Sequence, residues 1–348
     1  MTIHEETKMS TDRRDFLRVA GAAGAMAAAG AVPGGGGSAH AAPVRTGTHG
    51  VAKGLTLLTI RRNNENRLGV KTDHGILDVK EAAAALHMPA PSTMDDLLQN
   101  QDGPALNALV DAAVKSAAVK KSFLKEEGLQ YGPLVSRPEK IVCIGLNYRK
   151  HAKETNQPVP KAPILFNKFN NSLSEHNGKL KLPTDVATKF DHEVELVIVM
   201  GKEAKNVSEA DALNYVAGYA TGNDFSARDL QLETGGQWMI GKTPDQFAPI
   251  GPYLVSADQV DPDKLKIECS INGEIRQSSN TSDMVFSTKQ IISYITRHFT
   301  LRPGDIIFTG TPEGVIQGKP PDKRVWLKAG DKVSCSLEGL GELKFDLV

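Results

Sequence analysis

The sequence predicts an α+β protein, predominantly β, in which a small α+β N-terminal domain precedes a larger β-rich domain. Three observations carry this expectation. Beyond residue 140, apolar runs of strand length recur at 141–144, 164–166, 194–200, 216–222, 266–271, 305–309 and 332–337. The 32 Gly and 19 Pro punctuate the chain as turn formers. Helical patterns are few in that region, at 208–214 and 287–298, the second capped by Ser287. The 348 residues suffice for two domains, or for one with an appendage, and no solenoid-length repeat interrupts them.

Taken in order, residues 1–41 read as an address. T-D-R-R-D-F-L-R at 11–18 is followed by an Ala/Gly-rich stretch at 19–32 and by the small-residue site Ala39-His40-Ala41. Twin arginines, a mild apolar segment and a cleavage site make a Tat-type export signal, which implies a periplasmic or otherwise exported protein. The apolar stretch is too short and too weakly hydrophobic to span a bilayer. Tat substrates as a class cross the membrane folded.

Residues 42–131 form the expected N-terminal domain. Strands are predicted at 55–60, 67–71 and 76–79, then helices at 80–86, 93–99 (Thr93 as cap) and 104–125. Tyr131-Gly132-Pro133 and Arg137-Pro138 read as a linker, and the β-rich domain occupies 138–348.

Composition narrows the partners. Lys plus Arg number 41 and Asp plus Glu 41, so the net charge is zero. Such a chain has no long-range attraction for phosphate backbones or anionic lipid, which disfavours nucleic acid and, once the signal is removed, the membrane. Cys143, Cys269 and Cys335 are far apart in sequence and lack CxxC spacing. They predict packed core thiols, with neither a disulfide framework nor a zinc site.

The chemistry begins at Asp191-His192-Glu193-Val194-Glu195. In a strand Glu193 and Glu195 share one face. The residues that follow are apolar on both faces, so two adjacent carboxylates entering a doubly buried strand would repel unless a cation neutralised them. Asp224 ends a neighbouring strand-like run and can supply a third oxygen ligand. All-oxygen ligation suits Mg²⁺ or Mn²⁺, with Ca²⁺ as a further possibility, and leaves positions open for water and a chelating substrate.

His151 and Glu154 stand three residues apart on one face of a predicted helical turn. A carboxylate beside an imidazole fixes its tautomer, as a water-activating base requires, although the spacing alone suits a solvated surface pair better. Gly236 to Thr243 matches the G-x-x-x-x-G-K-[ST] phosphate-loop pattern, but no apolar strand precedes it, and Pro244, Pro249 and Pro252 preclude a long helix after it. Nucleotide hydrolysis is therefore rejected.

Six ordered motifs give the chain its resemblance to a known family. They are G-L-N-Y-R-K-H at 145–151, D-H-E-V-E-L at 191–196 and G-Y-A-T-G-N-D-F-S-A-R-D-L-Q at 218–231. G-K-T-P-D-Q-F-A-P-I-G-P at 241–252, I-N-G-E-I-R-Q at 271–277 and F-T-G-T-P-E-G-V at 308–315 complete the set. From residue 138 to 348 the sequence resembles the fumarylacetoacetate hydrolase family, and the region before it is similar to the N-terminal extension of bacterial members. The resemblance implies a mixed β-roll fold and a homodimer. It implies metal ligation by Glu193, Glu195 and Asp224, and catalysis by His151, Glu154 and Lys242 on a mobile segment and its surroundings. It also implies a pocket lined by Arg228, Gln231, Lys168 and Thr311, although for Arg228 an ion pair with a nearby acid is an equal reading.

The expected function is hydrolysis of a C–C bond in an acylpyruvate-like 2-oxo acid. The ion would act as Lewis acid, His151 and Glu154 would activate water, and Lys242 would stabilise charge on the substrate oxygen. The same family contains hydratases, lyases, isomerases and decarboxylases acting on 2-oxo or sugar acids, so those reactions remain alternatives. A non-catalytic 2-oxo acid binding protein is a further one, disfavoured by the intact His151 and Lys242. Residues 317–324, rich in Pro and Lys, border the last motif and are candidates for tuning specificity.

Overall fold

The computed structural model describes residues 49–348, so the expected export signal lies outside the described residues. A meander of β1 (Thr56–Arg62), β2 (Glu65–Thr72) and β3 (Gly75–Asp78) opens the fold. Next come α1 (Val79–Leu86), α2 (Met94–Asn100) and α3 (Gly103–Ala113), the first two capped by the side chains of Asp78 and Thr93. The helix expected over 104–125 stops at Ala113. A 3₁₀ turn at Ala117–Ser122 buries Val119, and β4 (Phe123–Leu124) then pairs with β3. Burial and strand pairing outweigh the helical propensity of the Ala-rich stretch.

The remaining elements follow in chain order. They are β5 (Ile141–Gly145), α4 (Arg149–Glu154), β6 (Ile164–Lys168), β7 (Leu173–Ser174), β8 (Gly178–Leu180), β9 (Phe190–Asp191) and β10 (Val194–Met200). After them come β11 (Val216–Asn223), β12 (Ser226–Ala227), α5 (Arg228–Leu232), α6 (Met239–Lys242), β13 (Ala248–Pro249) and β14 (Leu254–Ser256). The chain closes with β15 (Lys266–Ile271), β16 (Glu274–Asn280), α7 (Thr288–His298), β17 (Ile306–Phe308), β18 (Lys332–Leu337) and β19 (Gly341–Leu347). Ser287 caps α7 in a reciprocal box with Gln290. The helix expected at 208–214 is only a 3₁₀ turn, Ala212–Tyr215. The amides of Gly201 and Lys202 both bond to the Tyr215 carbonyl, which draws the chain into β11 before a second turn forms.

Ten strands make one sheet in the order β4-β3-β2-β1-β14-β11-β10-β17-β5-β6, and five make a second, β16-β15-β18-β19-β8. The side-chain alternation of β10 explains how the layers stack. Val194, Leu196, Ile198 and Met200 enter one core, shared with Ile267, Cys269, Val333 and Phe345 of the smaller sheet. Val197 and Val199 enter the other core, shared with Leu97, Leu106 and Leu109 of the N-terminal helices. The strand is buried on both faces, as its apolar residues imply.

β1 pairs with β14, so the N-terminal strands extend the catalytic sheet, and the described residues form one compact unit. The linker at 131–138 is therefore a crossing between strands of one sheet. All three cysteines are buried free thiols. Distance in sequence hides one neighbourhood: Cys269 and Cys335 face each other across β15 and β18, with their sulfurs 3.6 Å apart. No helix among the described residues is long and apolar enough to cross a membrane.

Candidate active site

Strand pairing assembles the acidic cluster. β10 and β11 run antiparallel with Val194 opposite Asn223, so Glu193 and Asp224 emerge side by side just past the paired segment. Two bonds lock this register: the Asp224 amide donates to the Glu193 carbonyl at 2.8 Å, and the Glu193 amide to Asn223 Oδ1 at 3.1 Å. Glu195 comes up beside them, and its Oε2 accepts the Gly310 amide at 2.7 Å. Gly310 has φ +101°, and a Cβ there would lie 2.6 Å from that of Asn147, so glycine is required for this approach.

Glu193, Glu195 and Asp224 are all buried, and one oxygen from each lies within 4.8 Å of the others. Three cations surround them. Lys242 Nζ donates to Glu193 Oε2 at 2.6 Å and Asp224 Oδ2 at 2.8 Å. Arg228 reaches Glu193 Oε1 at 2.6 Å, Asp191 Oδ2 at 2.8 Å and Gln231 Oε1 at 2.9 Å. Lys168 Nζ lies 2.7 Å from Asp224 Oδ1, yet its protons go to the carbonyls of Phe225, Lys242 and Phe247. An ammonium has three donors, so Asp224 Oδ1 remains buried without a hydrogen bond.

The electrostatics divide the trio. Burial raises the Glu193 carboxyl, but Arg228 and Lys242 outweigh it and hold the group below its ordinary range. For Glu195, burial and then repulsion from Asp224 and Glu193 push the carboxyl well above that range. Burial works against the charge of Lys242, and Asp224 and Glu193 restore it, leaving the ammonium more firmly protonated than usual. Asp191 shares Arg228 with Glu193, so four acids face three cations and the cluster is one positive charge short. Hard oxygen donors, an orphaned carboxylate oxygen and this charge deficit fit a divalent cation.

His151 faces the same cavity of about 660 Å³. Its Nδ1 lies 2.8 Å from Glu154 Oε1, while Glu154 Oε2 accepts the Gly314 amide at 2.9 Å. The turn leading to α4 is pinned by Asn147, whose amide group donates to the carbonyls of Thr309 and Phe286 and whose oxygen accepts the Phe286 amide. Phe166 and Trp238, edge to face at 5.6 Å, provide an apolar wall.

This constellation lies within a stretch, residues 140–348, that matches the family described as fumarylacetoacetate (FAA) hydrolase C-terminal. The chain belongs to the fumarylacetoacetate hydrolase family. It is 41% identical over 269 residues to the mitochondrial oxaloacetate tautomerase Fahd2a of Rattus norvegicus, covering 77% of this chain and 82% of the relative. Among solved structures it is similar to a fumarylacetoacetate hydrolase from psychrophilic Exiguobacterium antarcticum. That likeness has a TM-score of 0.69 and 28% identity, and covers 84% of this chain and 99% of the other. It also resembles the fumarylpyruvate hydrolase from Pseudomonas aeruginosa in complex with Mn²⁺ and pyruvate. There the TM-score is 0.56 and the identity 34%, covering 64% of this chain and 93% of the other.

As a member of this family the chain is an enzyme, and its cavity gathers nine of the ten residues expected from sequence. Lys168 is the exception: it sits behind Asp224, its ammonium committed to backbone carbonyls. Arg228 takes the ion-pair reading, since every arm of its guanidinium meets a side chain of the site. Thr311 donates to the Val194 carbonyl and accepts from Gln277, which makes it a brace for β10. The phosphate-loop match forms no strand and only the four-residue α6, whose last residue is Lys242. Gly241 lets α6 pack on α5, because a Cβ there would lie 2.4 Å from the Gln231 nitrogen.

Two organising residues of this family member carry no site role in the sequence reading. Asp191 holds Arg228 and also accepts the amides of Ile316 and Gln317. Gln277 joins the Val194 amide, His192 and Thr311. Both lie inside quoted motifs, but their partners are distant in sequence, and no local pattern names them.

Proposed function

We propose that this enzyme moves a proton at the carbon beside the keto group of a 2-oxo acid, interconverting the keto and enol forms of an oxaloacetate-like substrate. One observation carries the reading: a histidine–carboxylate pair, 2.8 Å apart, faces the same cavity as three buried carboxylates. Glu193, Glu195 and Asp224 would hold Mg²⁺ or Mn²⁺, with Ca²⁺ as the third hard candidate. Bound there, the ion would supply Lewis acidity to the 2-oxo carboxylate end of the substrate.

The chain's own groups then move the proton. Glu154 engages Nδ1, so a neutral His151 presents the lone pair of Nε2 to the cavity. Nε2 takes the proton from carbon and returns it to oxygen, while Glu154, anchored by the Gly314 amide, keeps the ring oriented. Lys242 spends two protons on Glu193 and Asp224, and its third stabilises negative charge on the substrate oxygen. Phe166 and Trp238 keep water from that wall. The tautomerase name of the rat relative supports this choice of reaction.

A second reading is hydrolysis of a C–C bond in an acylpyruvate-like acid, with His151 activating water instead. The cavity, at about 660 Å³, has room for a longer substrate, and the likeness to a fumarylpyruvate hydrolase supports it. Decay of oxaloacetate enol and pyruvate release from acylpyruvates, each with Mg²⁺ or Mn²⁺, separate the two. Pyruvate release together with enol decay at the buffer rate would replace the first reading by the second. In either case His151→Asn lowers kcat about 10²–10³-fold with metal binding retained by calorimetry; full turnover by the metal-loaded variant would sink the role. Tat export and a homodimer belong to the same proposal on the strength of sequence, to be checked by cell fractionation and light scattering.

A further inference from the structure

Besides the His151 imidazole, four cationic side chains line the cavity: Arg228, Lys242, Lys319 and Arg324. The first two are spent on the site's own acids. The other two are not. Arg324 Nε donates to the Lys319 carbonyl at 2.8 Å, which ties the two residues together, and its terminal guanidinium nitrogens have no partner among the described residues. Among the described residues neither Lys319 nor Arg324 meets a carboxylate, and Asp322, in the same turn, forms no ion pair with either. Both are half-buried, whereas the acidic trio is buried, so the cavity runs from an acidic floor to a cationic rim.

The segment carrying these cations is fastened to the site. Asp191 accepts the amides of Ile316 and Gln317 at 2.8 and 3.0 Å, and Glu154 accepts that of Gly314. Gly318 packs directly on the Glu154 carboxyl, where a Cβ would come within 2.6 Å of Cδ. The two carboxylates that orient Arg228 and His151 thus also set the position of Lys319 and Arg324. An anion held at the rim would lie in a fixed relation to the base.

We propose that Lys319 and Arg324 recognise a second carboxylate at the far end of the substrate, making the enzyme selective for dicarboxylic 2-oxo acids. The proposal rests on the 2-oxo acid reading above and adds the residues that set the substrate class. A planar guanidinium beside an ammonium suits a carboxylate, and a half-buried rim lets it enter without full desolvation of either charge.

The test measures affinity on the metal-loaded protein with 2-oxoglutarate and its distal methyl ester, titrated by calorimetry, and turnover with oxaloacetate and its distal ester. The parent should bind the diacid more tightly than the ester. In the K319M/R324M double variant that preference should fall about tenfold or more, with the loss in KM rather than kcat. K319R/R324K, which keeps both charges, should restore most of it. A parent that does not distinguish diacid from ester, or a double variant that keeps the preference, overturns the proposal. If the parent binds the diacid selectively but turns over neither oxaloacetate nor acylpyruvates, the functional reading fails while the rim assignment stands. An unchanged melting curve establishes that the variant is folded.

Discussion

Two charge clusters in this protein are built from the same residue types and serve opposite ends. In the N-terminal meander, Glu65, Asp78 and Glu81 meet Arg62, Arg67 and Lys80, three acids against three bases. Asp78, wholly buried, caps α1 and binds both arginines. At the acidic floor of the cavity, Asp191, Glu193, Glu195 and Asp224 meet only Lys168, Arg228 and Lys242 among the described residues. Among the described residues Glu195 forms no ion pair, and Asp224 Oδ1 accepts no hydrogen bond. Balance marks a cluster that holds the fold together. A buried deficit of positive charge marks one that waits for a ligand.

The largest test removes an acid from the unbalanced side. Asp224→Asn should abolish tight Mg²⁺ or Mn²⁺ binding and lower turnover by about three orders of magnitude. The metal-free variant should melt no lower than the metal-free parent, because the substitution evens the charges. A large loss of stability there would break the comparison. Asp78→Ala is the mirror experiment. It removes a cap, a buried ion pair with Arg67 and a half-exposed one with Arg62, and should cost about 3 kcal/mol in denaturant unfolding with kcat unchanged.

The smallest effect concerns exposed Glu65. The Lys80 hydrogen bond, with help from Arg67, holds its carboxyl below the ordinary value of 4.5. Its folded pKa lies below its unfolded one, so its contribution is present above pH 4.5 and fades as pH falls through the folded value. Glu65→Gln should narrow slightly the gap between melting curves recorded at neutral pH and near pH 3. An unchanged gap would show that solvent screens the pair completely.

Legibility differed between the elements for physical reasons. Strands such as 194–200 were readable because an apolar run buried on both faces has few alternatives. β19 alternates buried and exposed residues, G-E-L-K-F-D-L, yet its charged face hides it among polar segments. β16 is mostly polar along its length and is defined by pairing with β15. Thr93 and Ser287 announced their helices through local capping chemistry. The end of α3 could not be foreseen, since it depends on the pairing of β4 with β3, two strands far apart in the chain.

By itself the sequence determined the acidic trio, the His151–Glu154 spacing, the cationic segment at 317–324 and the family, because each is written in nearby residues. Only the tertiary structure decided which charges are spent. Arg228 is paired, Lys168 lies behind the site, and Asp191 ties two distant loops together. Lys319 and Arg324 reach the cavity uncommitted. Ion pairs form between residues that folding brings together, and neither their partners nor their vacancies have a signature in local order.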